Sequence, residues 1–191
     1  MNQAICIYGA SSENIPQSYK DAAFECGRLI ARAGVPLVCG GGKAGLMRCA
    51  IDGALSQGGQ AIGVLPDFMV QKGWQHPGLS QMICEPSMHA RKSRMASLSS
   101  AAIALPGGIG TLEELTEIIT WRKLNLFRGQ VVILNTDGFF DPLIQMLERT
   151  VEQGFMHREH LALWQVAATP AQAVNMALEP VTQHEFTQTI S

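Results

Sequence analysis

A glycine-rich turn between an apolar run and a helix-like run is the part of this chain best suited to binding an anion. Residues 101–105 predict a buried strand, residues 106–110 a tight turn and residues 111–123 a helix. A helix N-terminus presents unpaired N–H groups and the positive end of its dipole, and glycines let a phosphate approach the backbone closely. The residues expected to bind the phosphate are Gly107, Gly108, Ile109, Gly110 and Thr111.

The spacing of these glycines differs from two common nucleotide-binding motifs. Pro106 precedes two adjacent glycines, which does not fit the G-x-G-x-x-G pattern of dinucleotide-binding folds. The turn does not end in Gly-Lys-Ser or Gly-Lys-Thr, as a P-loop does. The turn therefore disfavours a nicotinamide cofactor and a nucleoside triphosphate as ligands.

Two roles are open for Glu114, which follows Thr111 at the spacing of a capping box. In that box the Thr side chain accepts a hydrogen bond from the amide of the third helical residue, and the Glu side chain reaches back to the cap amide. Alternatively, Glu114 is a carboxylate beside the phosphate site, near the sugar of a nucleotide. Glu113 and Glu117 are weaker candidates, since either fits a solvated helix face.

A basic cluster precedes the apolar strand and also has two interpretations. Arg91, Lys92 and Arg94 fall in a predicted helix over residues 88–99. They form either an exposed helix end or part of the anion site. In the second case the planar guanidinium of Arg91 is suited to clamping a phosphate.

The elements around these residues alternate between strand and helix patterns. Strands are predicted at residues 4–8, 35–39, 61–65, 82–85, 101–105 and 130–135, with helices between most of them and a last helix after Thr169. Such alternation is typical of an α/β fold with parallel strands. Residues 66–81 predict a long mobile loop or lid, and residues 161–166 fit no single pattern.

Open α/β sheets bind ligands beyond the C-terminal ends of their strands. Three small-residue loops leave such ends here, at residues 9–12, 40–42 and 106–111. We expect them to converge on one crevice, which adds Ser12 and Gly42 to the candidate site.

Composition and charge limit the class of protein further. The 191 residues suit one domain, expected over residues 1–180 and followed by a polar tail at 181–191. A net charge of -2 argues against nucleic-acid binding. Five cysteines without C-x-x-C spacing, no secretion-signal pattern and no long apolar run predict a cytoplasmic protein without membrane spans. His157 and His160 lack an apparent third ligand, so no metal is expected.

At these motifs the chain resembles the LOG (Lonely Guy) family, whose members are often mislabelled lysine decarboxylases. The resemblance rests on P-G-G-x-G-T-x-x-E at residues 106–114 and M-H-x-R-K-x-x-M at residues 88–95. Shorter matches lie at residues 40–47, 62–66 and 135–142, and the resemblance covers roughly residues 4–165. No lysine lies in a context typical of a pyridoxal phosphate site.

Membership of this family would imply both a fold and an activity. The implied fold is a Rossmann-like, doubly wound, mostly parallel sheet with helices on both faces, in a homodimer or larger assembly. The implied enzyme is an N-glycosidase that cuts nucleoside 5′-monophosphates, namely cytokinin riboside 5′-monophosphate or AMP, into free base and ribose 5-phosphate without a cofactor. The family's essential Arg and Glu fall on Arg91 and Glu114. Its substrate contacts fall on Lys92, Gly108, Ile109, Gly110, Thr111, Leu112, Glu113 and Thr120.

The chain departs from the family pattern at three places. Arg48 stands where the family usually has Gly, and the segments after Trp121 and at residues 67–78 lack clean matches. A non-catalytic nucleotide or cofactor carrier of the same fold is the alternative function. The combination of Glu114 with Arg91 favours the enzyme, because a carrier needs the glycine loop but no carboxylate at the sugar.

Overall fold

The computed structural model describes residues 4–181, in which seven strands form one parallel sheet. The strands are β1 (Ala4–Tyr8), β2 (Leu37–Cys39), β3 (Ala61–Pro66), β4 (Gln81–Glu85), β5 (Ser99–Ala104), β6 (Gln130–Leu134) and β7 (Gln165–Ala167). Their order is β4-β3-β2-β1-β5-β6-β7, and every pairing is parallel. β2 begins after Pro36 because proline has no N–H to donate to a strand ladder.

Within residues 4–181, seven α-helices connect the strands and cover both faces of the sheet. They are α1 (Gln17–Arg32), α2 (Gly45–Leu55), α3 (Asp67–Gln71), α4 (Met88–Ser97), α5 (Ile109–Lys123), α6 (Asp141–Glu152) and α7 (Pro170–Leu178). One core lies between the sheet and α1, α2 and α7, and a second between the sheet and α4, α5 and α6. Alternate residues of each central strand enter opposite cores, so the strands are apolar on both sides. The doubly wound α/β fold is confirmed.

The chain reverses its direction of winding between β1 and β5. From β1 it moves outward through β2 and β3 to β4, then returns to place β5 on the other side of β1. The loops after β1 and β5 therefore lie next to each other, and the Ala10 amide donates to the Pro106 carbonyl at 3.2 Å. Such a switch point leaves a crevice where α/β folds bind ligands.

Two predicted segments differ from the structure. Residues 66–81 are not one long loop: Pro66 ends β3 in an extended conformation, and Asp67 starts α3, where a carboxylate favours the helix dipole. Residues 161–166 divide between a 3₁₀-helix (Arg158–Leu163) and β7. The predicted tail at 181–191 lies, apart from its first residue, outside the described residues, as do residues 1–3 of the predicted domain. No helix within residues 4–181 has the length and apolar character needed to cross a bilayer.

Candidate active site

A cavity of about 740 Å³ opens at the C-terminal edge of the sheet. It is lined by the loops after β1, β2, β3 and β5 and by parts of α2, α3, α4 and α5. The predicted residues that line it are Ser12, Gly42, Arg91, Gly108, Ile109, Gly110, Thr111, Glu113 and Glu114. The three small-residue loops thus converge on one crevice, as expected from the strand alternation.

The N-terminus of α5 forms one side of this cavity. The helix begins at Ile109 with Gly108 as an extended N-cap that provides no side-chain cap. The N–H groups of the first helical turn have no partner inside the helix, so they remain available to an anion. An added Cβ at Gly108 or Gly110 would meet no atom within 4 Å, which leaves open space above this turn.

Of the two roles open for Glu114, the capping box with Thr111 is wrong. Gly108 takes the cap position, and Thr111 is the buried third residue of the helix, packed close to Gly107. The Glu114 carboxylate instead accepts a hydrogen bond from Arg91 Nη1 at 3.0 Å. A bond to a charged donor is stronger than one to a backbone amide, and the fold brings α4 close enough to provide it.

Arg91 and Glu114 form a buried ion pair at the cavity wall. Their side chains are 8% and 10% exposed. Arg91 Nε also donates to the Val64 carbonyl at 3.1 Å, and the guanidinium packs against Gly40, where any Cβ would collide with it. Two bonds and a close backbone contact therefore hold Arg91, and through it Glu114, in one orientation.

Burial is the main influence on the acidity of Glu114. It raises the pKa of the carboxyl group above the ordinary value, while the charge and hydrogen bond of Arg91 act in the opposite direction. A pKa raised by burial beside a specific charge partner is common at functional sites. The group at this wall is therefore a carboxylate that binds a proton more readily than a surface Glu.

The exposed-helix-end interpretation of the basic cluster is wrong for two residues and right for the third. Ser87 caps α4 by accepting a bond from the Ala90 amide, and the helix turns Arg91 and Lys92 inward. Arg94 lies on the outer face, where it is about half exposed and pairs with Glu85 at 3.5 Å.

Lys92 lies behind the cavity wall. Its ammonium binds Glu113 and also Glu117, the latter at 3.0 Å, and so ties α4 to α5. Burial lowers the pKa of Lys92, but the two carboxylates outweigh this and raise it. Lys92 is therefore positively charged and compensates the acidic face of α5, and Glu113 and Glu117 are not merely solvated.

Four predicted substrate contacts do not line the cavity of a single chain: Lys92, Gly107, Leu112 and Thr120. Thr120 is exposed, and its hydroxyl donates to the Thr116 carbonyl at 2.8 Å. Its role as a substrate contact stays a prediction. His157 and His160 serve local structure, since His160 Nδ1 accepts a bond from the His157 amide at 3.2 Å.

Several lining residues were missed from the sequence. Those with large apolar side chains are Met47, Leu65, Met69, Trp74 and Met88. Met47, Leu65 and Met88 lie inside or at the start of the matched motifs, so those motifs contained a signal for them. No matched motif indicated Met69 or Trp74, because they lie in the segment interpreted as a loop.

Comparison with known proteins relates this chain to a described family. A family model described as "Possible lysine decarboxylase" matches residues 47–177. The chain is 36% identical over 181 residues to the cytokinin riboside 5′-monophosphate phosphoribohydrolase LOG of Oryza sativa subsp. japonica, covering 95% of this chain and 75% of the relative. It is 39% identical over 152 residues to a protein of the same activity name from Arabidopsis thaliana, covering 80% of this chain and 71% of the relative.

Solved structures with a similar fold include proteins of a different description. The molybdenum cofactor binding protein from Rippkaea orientalis superimposes with a TM-score of 0.70 at 23% identity, covering 92% of this chain and 95% of that one. The Moco carrier protein from Chlamydomonas reinhardtii gives a TM-score of 0.69 at 25% identity, covering 92% of this chain and 94% of that one. These matches establish the shared fold.

Proposed function

The chain belongs to the LOG family of phosphoribohydrolases, and from this premise we propose that it hydrolyses the N-glycosidic bond of nucleoside 5′-monophosphates. The proposed substrates are AMP and cytokinin riboside 5′-monophosphates, and the products are the free base and ribose 5-phosphate. The activity for which the rice and Arabidopsis relatives are named supports this substrate class.

The observation that carries the proposal is the buried Arg91–Glu114 pair beside the open N-terminus of α5. In the proposed binding mode the phosphate lies against Gly108–Thr111, where backbone N–H groups and the helix dipole offset its charge. Glu114 is one turn further along the same helix, which would place its carboxylate near the ribose. A phosphate site alone would explain nucleotide binding, whereas the Glu114 carboxylate also provides a group that can take part in cleavage of the glycosidic bond.

Hydrolysis breaks the bond between C1′ and the base nitrogen, and the electron pair leaves with the base. The sugar then carries an oxocarbenium-like charge until the oxygen of a water molecule bonds to C1′ and loses a proton, while the base gains one. The Glu114 carboxylate can stabilise the cation, hold the ribose hydroxyls or activate the water. Because Arg91 donates to Glu114 and Val64, its role is to orient this carboxylate and offset its charge.

A non-catalytic carrier of the same fold is the alternative. The likeness to the molybdenum cofactor proteins concerns the fold, and no feature of the cavity favours a carrier over an enzyme. One experiment distinguishes the enzyme from the carrier. The purified protein is incubated with AMP or isopentenyladenosine monophosphate, and the ribose 5-phosphate released is measured. Product release supports the enzyme, and tight binding without product supports the carrier.

Substitution of Glu114 by Gln tests the proposed catalytic carboxylate. We expect kcat to fall by roughly 10²–10⁴-fold, the range typical of a lost acid–base group, with a smaller change in KM. Glu117→Gln is the matched control, since it makes the same change one turn away on α5 and outside the cavity. Unfolding temperatures are measured for both variants, because Arg91 loses a charged partner. Full turnover by the Glu114 variant would reject the catalytic role.

We also propose a homodimer or larger homo-oligomer in the cytoplasm, without nucleic-acid partners. Apolar side chains are exposed beyond the ends of α5 and α6, with Leu126 71% and Phe155 82% exposed. The five cysteines are unpaired, which fits a reducing compartment. The net charge of -2 provides no general attraction to nucleic acid.

A further inference from the structure

We call the side of the cavity lined by Leu65, Met69 and Trp74 its apolar side, and the strand order sets these residues apart from the N-terminus of α5. The open N-terminus of α5 follows β5, whereas Leu65 lies near the end of β3 and the α3 segment follows that strand. These two strands are three positions apart in the sheet, or ~14 Å at about 4.8 Å per strand. Arg91 lies between them, since it contacts Val64 of β3, Gly40 after β2 and Glu114 of α5.

This layout gives the base of a nucleotide a defined place. With the phosphate on α5 and the glycosidic bond near Glu114, the base extends toward the apolar side. Trp74 provides the aromatic surface on that side, together with Met69 and Leu65. Aromatic side chains stack on bases and contribute about 1–3 kcal/mol per base in single-strand binding.

Backbone hydrogen bonds attach the Trp74 segment to the loop after β2. The Lys43 amide donates to the Trp74 carbonyl at 2.9 Å, and the His76 amide donates to the Gly41 carbonyl at 2.8 Å. Gly42 and Gln75 form an antiparallel bridge between these bonds. Trp74 is 45% exposed, and Pro77 and Gly78 are also exposed, so a buried side chain between them is a further anchor for this segment.

His76 provides that anchor. It is 8% exposed, and its Nε2 lies 3.0 Å from Asp52 Oδ1 on α2. Its Nδ1 accepts a hydrogen bond from the Gly78 amide at 3.0 Å, which assigns the ring proton to Nε2, donating to Asp52. Both ring nitrogens are therefore used, and the imidazole joins the Trp74 segment to a helix packed in the core.

We propose that His76 is a positioning residue that holds Trp74 as the base-contacting wall of the substrate site. The proposal rests on the proposed nucleotide hydrolysis at the same cavity. His76 does not line the cavity, so its effect on the substrate passes through Trp74. Loss of the Asp52 bond frees the segment, and the base loses its stacking surface while the phosphate and ribose keep their contacts.

The test compares three variants with two ligands. His76→Asn removes the donor to Asp52 while retaining an acceptor for the Gly78 amide, and Trp74→Leu removes the aromatic surface at an exposed position. Arg48→Ala is the control, because Arg48 Nε contacts the other oxygen of Asp52 at 3.4 Å and leaves the His76 bond in place. AMP is the substrate, and ribose 5-phosphate, which lacks a base, is tested as a competitive inhibitor.

We expect His76→Asn and Trp74→Leu to raise KM for AMP about tenfold, corresponding to ~1.4 kcal/mol, with kcat within threefold of wild type. The inhibition constant of ribose 5-phosphate should stay within twofold, and Arg48→Ala should match wild type. An unchanged KM in His76→Asn or in Trp74→Leu, or equal weakening of both ligands in either variant, would overturn the proposal.

The test of His76 and Trp74 can be interpreted even if the proposed hydrolase function is rejected. If the wild type binds AMP without releasing ribose 5-phosphate, the hydrolase proposal fails, and dissociation constants of AMP and ribose 5-phosphate from calorimetry replace the kinetic constants. If His76→Asn does not fold, Asp52→Ala removes the same bond from the α2 side and takes its place, with the same expected rise in KM for AMP.

Discussion

At the scale of single residues, two opposing energetic effects act on the Arg91–Glu114 pair. Burial makes the charged forms costly, and the pairing together with the bond to Val64 offsets that cost. Removing either partner leaves an uncompensated buried charge, a change that costs about 3–5 kcal/mol in comparable pairs. Activity lost on substitution must therefore be interpreted beside a measurement of stability.

The raised pKa of Glu114 leads to a prediction about pH. If the ionised carboxylate acts on the sugar, kcat/KM should fall on acidification through a pKa above 4.5, the ordinary value for this group. The measurement is a pH profile of kcat/KM for AMP, with Glu117→Gln as a control that should keep the same acidic limb. A limb at or below 4.5 would contradict the prediction.

The same shift has a defined sign for stability. Above 4.5 the unfolded chain loses the Glu114 proton while the native state still retains it, because the native pKa is the higher one. The contribution of this group to the free energy of unfolding therefore falls as pH rises through the window above 4.5. Urea unfolding of wild type and Glu114→Gln across this window measures this effect. The difference between their free energies of unfolding should shrink at higher pH.

At the scale of elements, the glycines at the N-terminus of α5 differ in the space around them. An added Cβ at Gly107 would collide with the Thr111 side chain, whereas one at Gly110 would enter open space. Gly107 is therefore required by packing within the turn. Packing in the protein does not require glycine at position 110.

This contrast predicts opposite effects of two alanine substitutions. Gly110→Ala should leave stability unchanged or raise it by up to ~1 kcal/mol, because Ala favours the helix. It should also weaken AMP binding about tenfold, because the methyl group occupies the space of the proposed phosphate. Gly107→Ala is the comparison and should lower the unfolding temperature. Calorimetry with AMP and thermal unfolding measure both, and unchanged AMP affinity in Gly110→Ala would argue against a phosphate there.

At the scale of the whole molecule, the exposed apolar side chains beyond α5 and α6 bear on assembly. Leu124 and Leu126 follow α5, and Phe155 follows α6, on the face of the sheet opposite α1, α2 and α7. Their exposure favours burial against another chain. The segment after Trp121, which departs from the family pattern, includes two of them.

The corresponding prediction concerns molecular mass in solution. Wild type should sediment at twice 20.7 kDa or more, and Leu126→Glu should shift the distribution toward a single chain, because a charge is costly in a buried contact. Leu178→Glu, an exposed position on α7, should assemble like wild type. Sedimentation velocity at several concentrations measures this, and wild type at 20.7 kDa throughout would refute the proposed assembly.

Local patterns in the sequence were enough for the order of elements and for the loops that form the cavity. Hydrophobic periodicity and glycine positions depend on neighbours within a few residues, and parallel strands then place their C-terminal loops at one edge. The shared edge explains why Ser12, Gly42 and Gly108–Thr111 were found together without a structure.

Only the tertiary structure decided which partners these side chains take. Arg91 and Glu114 are 23 residues apart, and their bond exists because α4 and α5 pack on the same face of the sheet. The same packing buries Lys92 between two carboxylates, and pairing of the segment after α3 with the loop after β2 brings Trp74 to the cavity. The spacing of Thr111 and Glu114 suggested a local bond, but a buried carboxylate gains more from a distant guanidinium than from a nearby amide.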